Sequence, residues 1–229
     1  MVSNGYTRQA VAISICLWGV YKLLQNKRKK FIFFILLAAM FHKTVIVFFL
    51  LFPVVFLYYI KNNLKYLMAI YSFFSFILIV FLLNFLGMQE SNIYLQGNEE
   101  MSSKGFFVRW TYHVIPLIIF YKYNNFFKTY YYYPILQYLS FLILLLFPLG
   151  FVFSTLADRF NLYLIFFDVF VLCSSFFYIS EYEKRLLVAV LIVFYSLQMF
   201  IWFFYGEWAM KAWVPYKNYI TNYLFNSVF

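Results

Sequence analysis

The sequence predicts an all-α fold, a polytopic transmembrane helix bundle of about six full spans plus a broken-helix hairpin at 31–60, and three observations predict it. Hydrophobic residues make up 66% of the 229 and charged residues only 11%, with a mean hydropathy of +0.80, which excludes a soluble domain. The apolar runs have the length of membrane helices and exceed what barrel strands need, and the polar alternation of a barrel is missing. Lysine and arginine cluster in alternate gaps between the runs, which orients the spans. The 34 Phe and 23 Tyr suit lipid-facing and interfacial positions, as in Tyr130–Tyr133.

Residues 31–60, FIFFILLAAMFHKTVIVFFLLFPVVFLYYI, organise the rest. A single pass needs about 20 apolar residues, so this stretch is long for one span and short for two. Lys27-Arg28-Lys29-Lys30 precedes it, and Lys61 and Lys65 follow. Basic flanks mark the cytoplasmic side, so the segment rises and returns with His42 and Lys43 at its turn. Ionisable residues inside a membrane segment are functional candidates by default.

The first span runs from about Ala10 to Leu24, with Arg8 and Gln9 at its head and the basic run at its foot, so the amino terminus is external. No small-residue cleavage site follows it, as a signal peptide would require. After the hairpin comes a span over 66–86, then a polar external loop over 87–105 holding Glu90, Glu99 and Glu100. Phe106–Tyr121 returns inward with Arg109 and His113, and Lys122 and Lys128 bracket an internal turn. Pro134–Phe153 leads outward, Ser154–Arg159 forms a short external turn, and Leu162–Ile179 returns with Asp168 inside it. Glu181–Arg185 is internal, Leu186–Tyr205 leaves again, and the tail from Gly206 to Phe229 ends outside. No internal repeat or linker interrupts residues 1–229, which read as a single integral membrane domain. Cys16 and Cys173 fall in apolar segments and read as packing residues.

The net charge of +10 is mostly the ordinary cytoplasmic bias, from Lys22 and Lys27 to Lys184 and Arg185. The exceptions are Arg8, Arg109 and Arg159, each at the outer mouth of a different helix. Arg109 and His113 are four apart and share a helical face, and His42 and Lys43 approach the same side. Forked guanidinium groups bind phosphate at two points, so the set reads as a pyrophosphate-type site at the outer leaflet. Against it stands snorkelling of each arginine to the interface, or local pairing such as Arg159 with Asp158. Asp168 is either a proton acceptor or a structural partner of an Arg or Lys. Glu207 reads as a solvated end residue. No Asp-x-Asp pair, His cluster or Cys cluster supports a metal, and no glycine-rich loop supports nucleotide hydrolysis. Nothing points to a nucleic-acid partner.

Gly5-Tyr6-Thr7-Arg8-Gln9-Ala10-Val11-Ala12 resembles the Arg-Gln helix start of EpsG-type polysaccharide polymerases. Ala38-Ala39-Met40-Phe41-His42-Lys43-Thr44 resembles their Phe-His-x-Ser/Thr signature, although Lys43 adds a charge directly after the His. Asp158-Arg159-Phe160 with Tyr163 resembles their Arg…Tyr element, and Trp213-Val214-Pro215-Tyr216-Lys217 their Pro-Tyr-Lys tail. The resemblance implies a Wzy-like O-antigen or exopolysaccharide polymerase with a fold related to the lipid-dependent GT-C transferases. Several further helices precede the Arg-Gln element in that pattern, so the chain is expected to be the carboxy-terminal part of a longer member.

The activity implied is transfer of a growing glycan from undecaprenyl pyrophosphate to a sugar hydroxyl of another lipid-linked repeat unit. It would take place at the outer face of the bacterial inner membrane, without a cofactor or a metal. Its implied partners are the lipid-linked glycan, membrane lipids and a chain-length regulator. Under that reading Arg8, Gln9, Lys43, Arg109 and Arg159 bind the pyrophosphate, and the base is His42, then His113, then Asp168. The rival class is a non-enzymatic glycolipid flippase component or transporter, in which the buried His and Asp residues line a substrate path or relay. Prolines at 53, 116, 134, 148 and 215 show no symmetry between two halves, which an alternating-access design favours.

Overall fold

The computed structural model describes residues 7–51, 53–54, 64–86 and 105–206, and the chain divides into two compact units, residues 1–175 and 176–229. Every regular element among the described residues is helical. In the first unit these are α1 (Thr7–Leu24), α2 (Arg28–Phe41), a 3₁₀ helix (Lys43–Leu50) and α3 (Leu64–Leu86). They are followed by α4 (Phe106–Trp110), a 3₁₀ turn (Thr111–His113), α5 (Val114–Lys122), α6 (Asn124–Phe127), α7 (Tyr133–Val152) and α8 (Ser154–Ser175). The second unit carries α9 (Glu181–Tyr205). Residues 87–104 of the loop expected at 87–105, the tail from 207 with its Pro-Tyr-Lys motif, and residues 55–63 lie outside the described residues.

α1 and α2 form an antiparallel pair closed by Asn26, whose φ of 59° suits the short polar side chain of asparagine. Ala12, Cys16, Val20 and Leu23 of α1 are buried, as are Phe31, Ile35 and Ala38 of α2, at the three- and four-residue spacing of one helical face. Gly19 lets the backbones approach, because a Cβ there would lie 3.2 Å from Phe34 Cβ and 3.3 Å from Ile35 Cδ1. Of the two cysteines, Cys16 packs as expected. Cys173 is exposed and is not a core residue, and no disulfide joins them.

The long apolar stretch breaks where the sequence indicates. His42 is extended, at φ −152° and ψ 112°, between α2 and the 3₁₀ helix. The rings of Phe31 and Phe49 then meet with centroids 6.1 Å apart, which requires the chain to double back at His42. Tyr71 of α3 donates its hydroxyl to the Leu50 carbonyl at 2.9 Å, and Tyr138 of α7 donates to Ser75 of α3 at 2.9 Å. Inside a bilayer no water serves such groups, so each hydrogen bond both satisfies a polar atom and joins two elements.

The span expected over Phe106–Tyr121 is not one continuous α-helix. Pro116 has no N–H to donate to the Tyr112 carbonyl, and the ladder tightens to 3₁₀ over Thr111–His113 just before it. Ser154–Arg159 is not a turn either. Only Phe153, at φ −132° and ψ 64°, separates α7 from α8, and Ser154–Arg159 are the first turns of α8. The polar letters Ser, Thr, Asp and Arg suggested a loop, but Leu156, Ala157 and Arg159 are good helix formers. Likewise Glu181–Arg185 begins α9, held by a capping box between Ser180 and Glu183.

Two helices, Tyr133–Val152 and Glu181–Tyr205, are long and apolar enough to cross a membrane among the described residues, against the six or so spans the sequence predicts. Shorter apolar helices run over Tyr66–Leu78 and Phe160–Ser175. α9 exposes large apolar side chains around most of its circumference, including Leu186, Val188, Ile192, Phe200 and Phe204, as a helix bathed in lipid does.

α4 docks on the kinked end of α7. Pro148 interrupts the α7 ladder, and two residues on, a Cβ at Gly150 would lie 1.9 Å from the fully buried ring of Phe106. Gly150→Ala therefore overpacks a site where alanine is otherwise the better helix former. We expect a loss of about 1–3 kcal/mol in detergent unfolding titrations. A neutral or stabilising outcome, as helix propensity alone predicts, would show that Phe106 does not occupy this place.

Candidate functional site

α8 carries the polar face on which the candidate residues meet. Asp158, Asn161 and Asp168 sit at spacings of three and seven, which a helix of 3.6 residues per turn brings to one side. That side faces α4, the 3₁₀ turn and α5. Arg109 of α4 makes a two-point ion pair with Asp158, Nε to Oδ1 at 2.5 Å and Nη2 to Oδ2 at 2.7 Å. The guanidinium is one-third exposed and the carboxylate about half as much, at 34% and 15%, so the pair lies at the rim of the bundle.

One turn deeper, His113 is completely buried. Its Nδ1 lies 2.8 Å from Asp168 Oδ1 and its Nε2 lies 2.6 Å from Asn161 Oδ1. With the amide oxygen facing the ring, Nε2–H donates to Asn161 and Nδ1 shares a proton with the Asp168 carboxyl. With the amide turned, the ring is neutral and accepts from Asn161. In both orientations each nitrogen is engaged, and Asp168, read from the sequence as a proton acceptor or the partner of an Arg or Lys, bonds to a histidine.

The other flank of α8 faces the broken hairpin. Tyr163 is five residues beyond Asp158, about 140° around the helix. Its hydroxyl lies 3.1 Å from His42 Nδ1, and its ring packs edge-on against Phe48 at 5.7 Å and Phe160 at 6.2 Å. Phe48, Phe160 and Tyr163 are buried, whereas His42 is half-buried at the break. Arg159 occupies the position one turn before Tyr163 on this flank, and Lys43 follows His42 in the chain.

The expected residues thus fall into three places. His113 and Asp168 meet directly, Arg109 joins the same face through Asp158, and His42 joins the opposite flank through Tyr163. Arg8 is exposed and Gln9 buried in the first turn of α1, which packs against α2 and the first 3₁₀ helix. Asn161 and the pairing of Asp158 with Arg109 were not foreseen. Reading Ser154–Arg159 as a turn removed the helical register that aligns 158, 161 and 168.

The family model of the EpsG family matches residues 1–218. The chain belongs to the EpsG family. The match takes in the Arg-Gln start, the His42 break and the whole of α8, so the site lies within the family region. EpsG-family membership makes this a polysaccharide-polymerase-type membrane protein. No curated protein and no solved structure matches it.

The His113–Asp168 pair gives a direct test of this EpsG-family site. Asp168→Ala leaves the buried imidazole without its carboxylate and should cost about 3–5 kcal/mol of stability, as loss of one partner from a buried pair does. His113→Ala combined with Asp168→Ala should cost less than the two single changes added, because they share one interaction. Additive losses in thermal denaturation of the purified variants would show that the two side chains do not meet.

Proposed function

We propose that the protein polymerises undecaprenyl-pyrophosphate-linked oligosaccharide repeat units at the outer face of the bacterial inner membrane, as a glycosyltransferase of the O-antigen or exopolysaccharide type. The observation that carries this reading is the hydrogen bond from His42 to Tyr163. It fixes a half-buried imidazole on Tyr163, whose position on α8 is one helical turn, about 6 Å along the axis, from that of Arg159.

The chemistry needs a base for the acceptor hydroxyl and positive charge for the departing pyrophosphate. The acceptor oxygen attacks the anomeric carbon of the donor glycan and the bond from that carbon to the phosphate oxygen breaks. The pyrophosphate leaves with the electron pair. His42 receives the hydroxyl proton at Nε2 in the tautomer whose Nδ1–H donates to the Tyr163 oxygen. Arg159, whose position is on that flank of α8, and Lys43, next after His42 in the chain, would stabilise the charge growing on the leaving group. His113 and Asp168 are buried in each other's company, so we assign them to positioning the broken helix that carries Arg109. Arg8 and Gln9 are assigned to the lipid-linked substrate from α1. The GT-C relation, the external amino terminus and a chain-length regulator as partner belong to the same proposal.

Two sets of variants test it in full-length protein. His42→Asn keeps hydrogen-bonding capacity but cannot take up a proton near neutral pH. Normally inserted, abundant protein should then leave single lipid-linked repeats unpolymerised, with the rate down by about 10²–10⁴-fold, the usual worth of a general base. Long chains made at the normal rate would assign His42 to capping the helix break instead. Arg159→Lys should impair polymerisation although charge is kept, because a point charge does not reproduce a forked phosphate contact. Full activity of Arg159→Lys beside an inactive Arg159→Ala would reduce the role to simple electrostatics.

A further inference from the structure

No acidic residue precedes Glu90, so α1, α2, the first 3₁₀ helix and α3 contain no carboxylate side chain. Against that background the tip joining α1 to α2 gathers Lys22, Lys27, Arg28, Lys29 and Lys30. Residues 25–30 are all exposed, and Asn26 to Lys30 line an open concavity of about 470 Å³. Positive charge beside a span explains the side of the membrane on which such a tip lies. It does not explain why four consecutive cations crowd onto one helix start.

The backbone of the tip is fixed. Lys27 N–H donates to the Lys22 carbonyl and Asn26 N–H to the Leu23 carbonyl, both at 2.9 Å, the paired bonds of a Schellman turn with Asn26 in the left-handed conformation. The carbonyl end of α1 is thereby answered. Lys27 is at once the end of that turn and the N-cap of α2, where it makes no side-chain cap hydrogen bond, and the first turn of α2 holds no acid. A helix dipole is positive at this end, so Lys27 to Lys30 are repelled both by one another and by the helix. α1, α2 and the first 3₁₀ helix pack on one another and offer no carboxylate to relieve that repulsion.

Just inside the charges the side chains turn aromatic and then aliphatic. Lys22 Nζ lies 5.1 Å from the ring centroid of Trp18 and 4.8 Å from that of Tyr21. Both rings are exposed, Trp18 by 56%, and Phe33 and Leu36 are exposed one and two turns along α2. Tryptophan and tyrosine take the headgroup level of a bilayer, which sets cations above them and apolar side chains below.

We propose that the α1–α2 tip is a binding site for anionic phospholipid, whose phosphate lies among Lys27, Lys29 and Lys30 while its acyl chains run beside Phe33 and Leu36. Charge complementarity supports this occupant, because the cations have no carboxylate in the elements around them. A soluble anion would meet the same cations but leave the aromatic and aliphatic side chains beneath them unused. His42 follows α2 directly, and 14 residues place it about 21 Å from the tip, so a lipid held there sets the depth of the His42 break in the bilayer. The site stands independently of the polymerase reading.

Full-length protein in neutral detergent micelles is titrated with phosphatidylglycerol, and the rise of its thermal midpoint gives an apparent affinity. Each basic residue beside an anionic lipid strengthens binding about fivefold, so Lys27→Gln with Lys29→Gln and Lys30→Gln should weaken phosphatidylglycerol about a hundredfold. Lys184→Gln with Arg185→Gln, at the start of α9, should leave the affinity as it was. The same loss per charge from both sets, or no loss from the first, would overturn the site in favour of general surface charge. Phosphatidylcholine binding as tightly as phosphatidylglycerol would overturn it too. Displacement of the lipid by inorganic pyrophosphate at equal concentration would replace the phospholipid with a soluble anion. Where the triple change disturbs insertion, Lys29→Gln alone keeps the orienting charge and should cost about fivefold, and an unchanged affinity would again overturn the site.

Discussion

Polar groups inside a bilayer have no water to turn to, so each must find its partner within the protein. α8 is where that constraint is met. It carries two carboxylates, an amide and a phenol into an apolar bundle, and these are answered by Arg109, His113 and His42 from elements distant in the chain. Leaving any one of them unanswered would be expensive. The same bonds that satisfy α8 therefore fix the broken helix at 106–122 on one flank and the hairpin at His42 on the other.

Both flanking elements are irregular at the residue that matters. His42 is extended between two helices, and His113 ends a 3₁₀ turn ahead of Pro116. An unbroken α-helix sets its side chains at fixed angular steps, whereas a break lets one side chain leave that progression and meet a partner across the bundle. Here the breaks are tolerated because α8 supplies the partners. Gly150 serves the same end in a simpler way, seating α4 on α7 at a distance a side chain would forbid, and Gly19 eases the close approach of α2 to α1. His42 and Arg109 are thereby each bonded to a side chain of one helix, α8.

The sequence made the helical class legible through composition, and the break at His42 followed from the length of residues 31–60 together with their basic flanks. His42, His113, Asp168 and Arg109 were legible as ionisable residues in apolar surroundings. Their partners were not. Asp158 sits beside Arg159 in the chain and invited a local pairing, yet it is bonded to Arg109, 49 residues away. Asn161 carries no charge, and nothing in the sequence singled it out. Tyr163 was one of 23 tyrosines, marked only by a motif. Helix starts misled for a single reason, since Ser154–Arg159 and Glu181–Arg185 are polar first turns, and polarity at a membrane interface is shared by loops and helix ends alike.

Exchange of the charges at positions 109 and 158 tests most directly whether α8 organises the site. Arg109→Asp and Asp158→Arg each place like charges against one another, and each should lower the thermal midpoint of the detergent-purified protein. The two together restore an opposite pair, so most of that loss should return, with a coupling of about 1–3 kcal/mol between the sites. A doubly substituted protein as unstable as the sum of its single changes would contradict the central claim, because Arg109 would then be held by something other than α8.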